Sequence, residues 1–196
     1  MIATPNESDD NNKRSRFNSP VIRILREHPM GTDAPAAAEM IFNKEENFGV
    51  LLRRIRNLID KTGSRDKKLK EICRLLGDNV PYYDWVGFYL VDQTTKDMLI
   101  LGPFAGEPIA HIKIPFGRGI CGQAAERKAT FVIQDVTKET NYLACSTEVS
   151  AEIVAPILKE ENVVGELDVD SRQLSSFGAE DKQFLEAVCK ELSKIF

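Results

Sequence analysis

The pattern that most limits this chain's fold is a change of period. Apolar residues first recur at helical spacing, through Phe48, Leu51, Leu52, Ile55, Leu58 and Ile59, then after Gly63 and Ser64 through Leu69, Ile72, Cys73, Leu75 and Leu76. From residue 84 the spacing becomes that of strands. Runs 84–92, 97–104, 109–114, 130–134, 151–158 and 163–171 are rich in Val, Ile, Leu, Phe and Tyr, with turn residues between them. Helical spacing returns at Phe184, Leu185, Val188, Leu192 and Ile195, behind Glu180 and Asp181, acids that suit a helix N-terminus. Strands enclosed by terminal helices predict an α+β fold with one antiparallel sheet. A short helix-like stretch at 119–127 interrupts the strands, and 135–150 reads as a polar loop, long for a simple connector.

At 196 residues and 42% apolar, the chain is sized for one domain with a two-layer core. Residues 1–20, rich in Asn, Ser, Asp and basic groups, lack apolar positions that offset the entropy of ordering. In the next segment Val21, Ile22, Ile24 and Leu25 are soon punctuated by Pro29, Gly31 and Pro35. Residues 1–43 are therefore expected to be a poorly ordered extension, and 44–196 a single domain. A net charge of -4 gives no electrostatic footprint for nucleic acid, and no apolar run approaches the roughly 20 residues that span a bilayer. The first residues contain neither a signal-peptide core nor the acid-poor composition of a transit peptide, so a cytoplasmic protein is expected, with no nucleic-acid or membrane partner.

The cysteines Cys73, Cys121, Cys145 and Cys189 lack the spacing of a secreted disulfide scaffold, and in a reducing compartment thiols that pair do so transiently and catalytically. Cys73 and Cys189 lie on apolar helix faces and are expected to be small core residues. No Cys-x-x-Cys pair is present and the histidines are His28 and His111, so no metal is expected. Neither a Walker lysine motif nor Gly-x-Gly-x-x-Gly occurs, and no other cofactor is indicated.

Two thiols stand apart. Cys121 follows Gly117, Arg118 and Gly119 at a helix start, where unpaired N–H groups and a guanidinium favour thiolate. Cys145 sits in a polar loop, where a thiol is accessible. Asp168 and Asp170, two apart on one strand, project from the same face, and Glu152 at the start of another strand can join them. Carboxyls held close repel, which raises a pKa and keeps a proton available near neutral pH. The alternative is a solvent-facing polar edge. Trp85 and Tyr89, four apart, also share a face and can form an aromatic wall beside the acids. Local chemistry leaves open which thiol attacks.

Taken together, Trp-Val-Gly-Phe-Tyr (85–89), Pro-Phe-Gly-Arg-Gly-Ile-Cys-Gly (115–122), Ala-Cys (144–145), Ser-Ala-Glu-Ile-Val (150–154) and Leu-Asp-Val-Asp-Ser (167–171) resemble the GAF-domain free methionine-(R)-sulfoxide reductases. The resemblance implies a six-stranded antiparallel sheet with flanking helices, a homodimer, and reduction of the R epimer of free methionine sulfoxide. It implies Cys145 as the attacking thiol, Cys121 as a second redox thiol, Glu152, Asp168 and Asp170 as acids around the substrate, and Trp85 and Tyr89 as the wall for its methyl end. His111 departs from the pattern, since many members have a cysteine there. A Cys121–Cys145 disulfide regenerated by thioredoxin follows. The alternative is a GAF sensor that binds a small molecule without turnover.

Overall fold

A computed structural model describes residues 43–143 and 148–196. Helices α1 (Lys44–Asp60) and α2 (Arg65–Asn79) precede strands β1 (Trp85–Val91), β2 (Met98–Ala105) and β3 (Lys113–Pro115). Helix α3 (Gly119–Arg127) and strand β4 (Phe131–Ile133) follow, then β5 (Ala151–Lys159), β6 (Asn162–Ser171) and helix α4 (Ala179–Leu192). The strands form one six-stranded sheet in the order β3-β2-β1-β6-β5-β4, every neighbouring pair antiparallel. The expected α+β fold is the one observed.

Each helix forms where its apolar stripe has a surface to meet. Helix α1 is capped by the Asn43 side chain, which accepts from the Glu46 N–H at 3.2 Å, and it buries Phe48, Leu51, Ile55 and Ile59. With α2 and α4 it covers one face of the sheet, against Val86, Phe88, Ile153, Ala155, Ile157, Leu167 and Val169. Burying a Leu, Ile or Phe of this kind contributes roughly 1.5–3 kcal/mol, so this layer supplies most of the driving force for folding. Cys73 and Cys189 belong to it. Each thiol donates to a backbone carbonyl, Cys73 to Pro103 at 3.4 Å and Cys189 to Ala155 at 3.3 Å. Burial pushes the Cys73 thiol up to about 12, against the smaller opposing effect of Lys70, and it raises Cys189 as well. Both are inert core thiols, as their helix faces suggested.

The opposite face carries Trp85, Tyr89, Leu99, Ile114 and Val154, and α3 packs over it through Ile120, Cys121, Ala124 and Ala125. At nine residues α3 is too short to persist alone, so docking holds it. Gly122 permits that docking, since a Cβ there would lie 2.3 Å from the Pro115 carbonyl oxygen.

Two boundaries differ from the sequence reading. The strand expected at 109–114 is only Lys113–Pro115, because the carbonyl of His111 accepts from the Tyr89 hydroxyl at 2.7 Å instead of joining the ladder. Within the expected polar loop 135–150, residues Val136–Lys138 form a 3-10 turn. Asp135 caps it by accepting from the Thr137 N–H at 3.1 Å, and the turn buries Val136. No helix among the described residues is long and apolar enough to cross a membrane.

Candidate active site

Period-two geometry builds the site. On β6 Glu166, Asp168 and Asp170 leave the sheet on the α3 side while Leu167 and Val169 enter the three-helix core. Antiparallel pairing then sets three rows across the sheet. Trp85, Asp170 and Glu152 lie side by side, as do Gly87, Asp168 and Val154, and Tyr89, Glu166 and Pro156. Helix α3 lowers Cys121 onto the acids, its Sγ donating to Asp168 Oδ2 at 3.4 Å and lying 3.8 Å from Glu152 Oε1.

These acids do not face solvent. Glu152 and Asp170 are 3% exposed, and Asp168 and Glu166 are fully buried. Burial is the chief reason each carboxyl is raised. Glu152 is pushed well above the usual carboxylate range by burial, then by Asp168, Asp170 and Glu166, with the Cys121 thiol opposing. Glu166 rises through burial and then Asp168, and Asp170 through burial, Asp168 and Asp84. Asp168 rises to about 7, because the Cys121 thiol and its own strand's amide partly offset burial. The cluster is therefore a set of carboxylic acids of which Asp168 ionises most readily.

The indole of Trp85 lies back over Gly87, where a Cβ would meet the ring at 2.0 Å, so the missing side chain at 87 makes room for the aromatic wall. The ring stacks on Phe104 with centroids 5.6 Å apart and donates from Nε1 to the Glu107 carbonyl at 3.0 Å. A pocket of about 50 Å³ opens beside it, bounded by Trp85, Ile109, Asp170 and Arg172. Tyr89 is fully buried further along the same face.

Of the residues singled out in the sequence, the structure brings Cys121, Glu152, Asp168, Asp170, Trp85 and Tyr89 to one face. Cys145 lies outside the described residues. The stretch leading to it is fastened to the start of α3: Asn141 Nδ2 donates to the Gly117 carbonyl at 2.8 Å, and its Oδ1 accepts from the Gly119 N–H at 3.2 Å. Glu166 was missed. The alternation that links Asp168 to Asp170 extends one step back to it, and that signal was legible in the sequence.

Raised carboxylic acids give stability a definite slope with pH. Between the ordinary aspartate value near 4 and the folded value of about 7, the native state binds more protons through Asp168 than the unfolded chain does. That contribution is fully present below the unfolded value and is lost as pH rises through the folded one. Stability is therefore expected to fall between pH 5 and pH 8 by on the order of a few kcal/mol, and the thermal midpoint falls with it. Asp168→Asn should flatten the slope. Melting curves of both proteins at constant ionic strength decide it, and a wild-type midpoint that rises over this range would show that Asp168 ionises without cost.

A family model, the GAF domain, matches residues 64–195. The free methionine-R-sulfoxide reductase of Escherichia coli strain K12 is 35% identical, over 78% of this chain and 90% of that protein. GAF domain-containing protein A of Dictyostelium discoideum is 39% identical over 76% and 92%. The crystal structure of free methionine-R-sulfoxide reductase from Neisseria meningitidis in complex with its substrate superimposes with a TM-score of 0.74 at 33% identity, covering 87% of this chain and 96% of that one. With its sheet order, its face of buried acids and these relatives, the chain belongs to the GAF-domain family of free methionine-(R)-sulfoxide reductases.

Proposed function

We propose that this chain reduces free methionine-(R)-sulfoxide to methionine, with residues 44–196 as the catalytic domain and 1–43 as an extension. The observation that carries the reading is the row of buried acids beside Trp85 and the Cys121 thiol, in a chain 33% identical to an enzyme crystallised with its substrate. A sulfoxide oxygen is a poor leaving group until protonated, and Glu152 and Asp170 hold protons near neutral pH. Trp85 and Tyr89 wall the methyl end, and Asp168, the acid that ionises first, balances the ammonium.

The thiolate of Cys145 attacks the sulfoxide sulfur while an acid delivers one proton to oxygen. The protonated oxygen then passes to the cysteine sulfur as the new S–S bond and the original S–O bond break, so that methionine leaves with the electron pair and Cys145 becomes a sulfenic acid. The Cys121 sulfur then displaces the sulfenic hydroxyl, which departs as water with the thiol proton, giving a Cys121–Cys145 disulfide. Thioredoxin returns both thiols by dithiol exchange, supplying two electrons. A cytoplasmic homodimer is part of the same reading.

Epimer selectivity is the test. Chiral separation of the substrate remaining after incubation with dithiothreitol should show the R epimer consumed and the S epimer intact. Peptide-bound sulfoxide should react poorly, because a site that grips both the free ammonium and the free carboxylate of an amino acid has no place for the flanking chain. Equal loss of both epimers, or of neither, would sink the enzyme reading and favour a ligand-binding sensor.

A further inference from the structure

We propose that Cys121, Glu152 and Asp168 form a binding site for one divalent cation of the zinc class. Their donor atoms come from a helix and two strands and lie within 4.8 Å of one another, all in buried side chains. A tetrahedral zinc ion with a sulfur ligand near 2.3 Å and an oxygen ligand near 2.0–2.2 Å sets the two ligand atoms about 3.5 Å apart. Here the sulfur stands 3.4 Å from Asp168 and 3.8 Å from Glu152. The two sulfur–oxygen edges of such a polyhedron are thus close to the required length, and all three donors lie within 4.8 Å of one another.

A second feature points to an occupant. Neither oxygen of Glu166 has a hydrogen-bond partner among the described residues, and the same holds for Asp168 Oδ1, although both side chains are fully buried. Orphaned buried oxygens are costly and uncommon. Glu166 borders the donor set, two residues before Asp168 on β6 and on the same face of the sheet. It or a water supplies the fourth vertex. The donor chemistry narrows the ion: one soft sulfur with carboxylate oxygens suits Zn2+, Co2+ or Fe2+, whereas Ca2+ and Mg2+ take oxygen alone. The sequence hid the site because positions 121, 152 and 168 share no local spacing and only the fold brings them together.

Binding replaces the thiol proton with the metal. If the reductase reading holds, the ion also occupies the acids that grip substrate and caps the resolving thiol, so it inhibits reversibly and competes with methionine sulfoxide.

Co2+ is the probe, titrated without substrate into the reduced full-length protein under anaerobic conditions. One equivalent should produce a near-ultraviolet sulfur-to-cobalt charge-transfer band, which Zn2+ bleaches by displacement. Cys121→Ser should lose the band with unchanged circular dichroism, Cys145→Ser should keep it, and Glu152→Gln should weaken binding at least tenfold. Absence of the band in the wild type, its survival in Cys121→Ser, or its loss in Cys145→Ser overturns the proposal. Because the titration contains no substrate, a chain that gives the band but never releases methionine refutes the reductase reading and leaves the metal site standing.

Discussion

In a single turnover without reductant, Cys145→Ser is expected to release no methionine, whereas Cys121→Ser releases about one equivalent per site and then stops. Steady-state turnover on thioredoxin should fall by about a thousandfold or more in both variants, since one lacks the nucleophile and the other leaves the sulfenic acid unresolved. Dithiothreitol should restore repeated turnover to Cys121→Ser alone, because an external dithiol can reduce a sulfenic acid without a resolving cysteine. The surroundings of Cys121 favour this assignment. A helix N-terminus favours an anion by about 0.3–1 kcal/mol, but this sulfur also donates to the carboxyl of Asp168 and lies 3.8 Å from that of Glu152, groups whose ionised forms oppose a second negative charge. Cys121 therefore suits a thiol that waits rather than a thiolate that attacks. A methionine burst from Cys145→Ser with none from Cys121→Ser would reverse the roles, and mass spectrometry linking Cys145 to Cys73 or Cys189 would discard the pairing.

Asp181→Ala is expected to cost about 3 kcal/mol and to lower the thermal midpoint by roughly 6–12 °C, with the acids of the site untouched. Asp181 is fully buried at the start of α4, yet it is neither unpaired nor near the pocket. Its Oδ1 accepts from the hydroxyls of Tyr82 at 2.7 Å and Tyr83 at 3.1 Å. Its Oδ2 accepts from Lys44 Nζ at 2.7 Å and from the Gly178 N–H at 2.8 Å. Removing the carboxylate strands the buried Tyr83 hydroxyl and frees the first turns of two helices. The estimate sits at the low end for a broken buried pair because the Lys44 side chain remains 30% exposed and regains water. Chemical denaturation monitored by circular dichroism measures the effect. A loss below about 0.5 kcal/mol would mean that water replaces all four partners.

The helices and most strand boundaries were legible because apolar side chains there repeat with the period of the element they occupy. The run at 151–158 and the strand Ala151–Lys159 nearly coincide, as do 163–171 and Asn162–Ser171. Legibility failed where a tertiary contact overrode local pattern. His111 looks like part of a strand, but its carbonyl is taken by a tyrosine hydroxyl 22 positions away. The grouping of Asp168 with Asp170 followed from period two, whereas the meeting of Glu152 with Asp170 depends on the register of β5 against β6, which one sequence does not reveal. Glu166 was overlooked for another reason: beside a glycine in a hairpin strand it resembles an ordinary exposed charge, although it continues the alternation of Asp168 and Asp170.

Strand β6 divides two incompatible media, hydrocarbon beneath and carboxyl above, one residue at a time from Glu166 to Asp170. Deleting one residue from its first half would exchange the two sets, driving three acids into the helix-covered core and leaving Leu167 and Val169 under α3. Evolution can therefore substitute along β6 but cannot readily shorten or lengthen it. Insertions and deletions that the loops tolerate would here erase chemistry and fold in the same event.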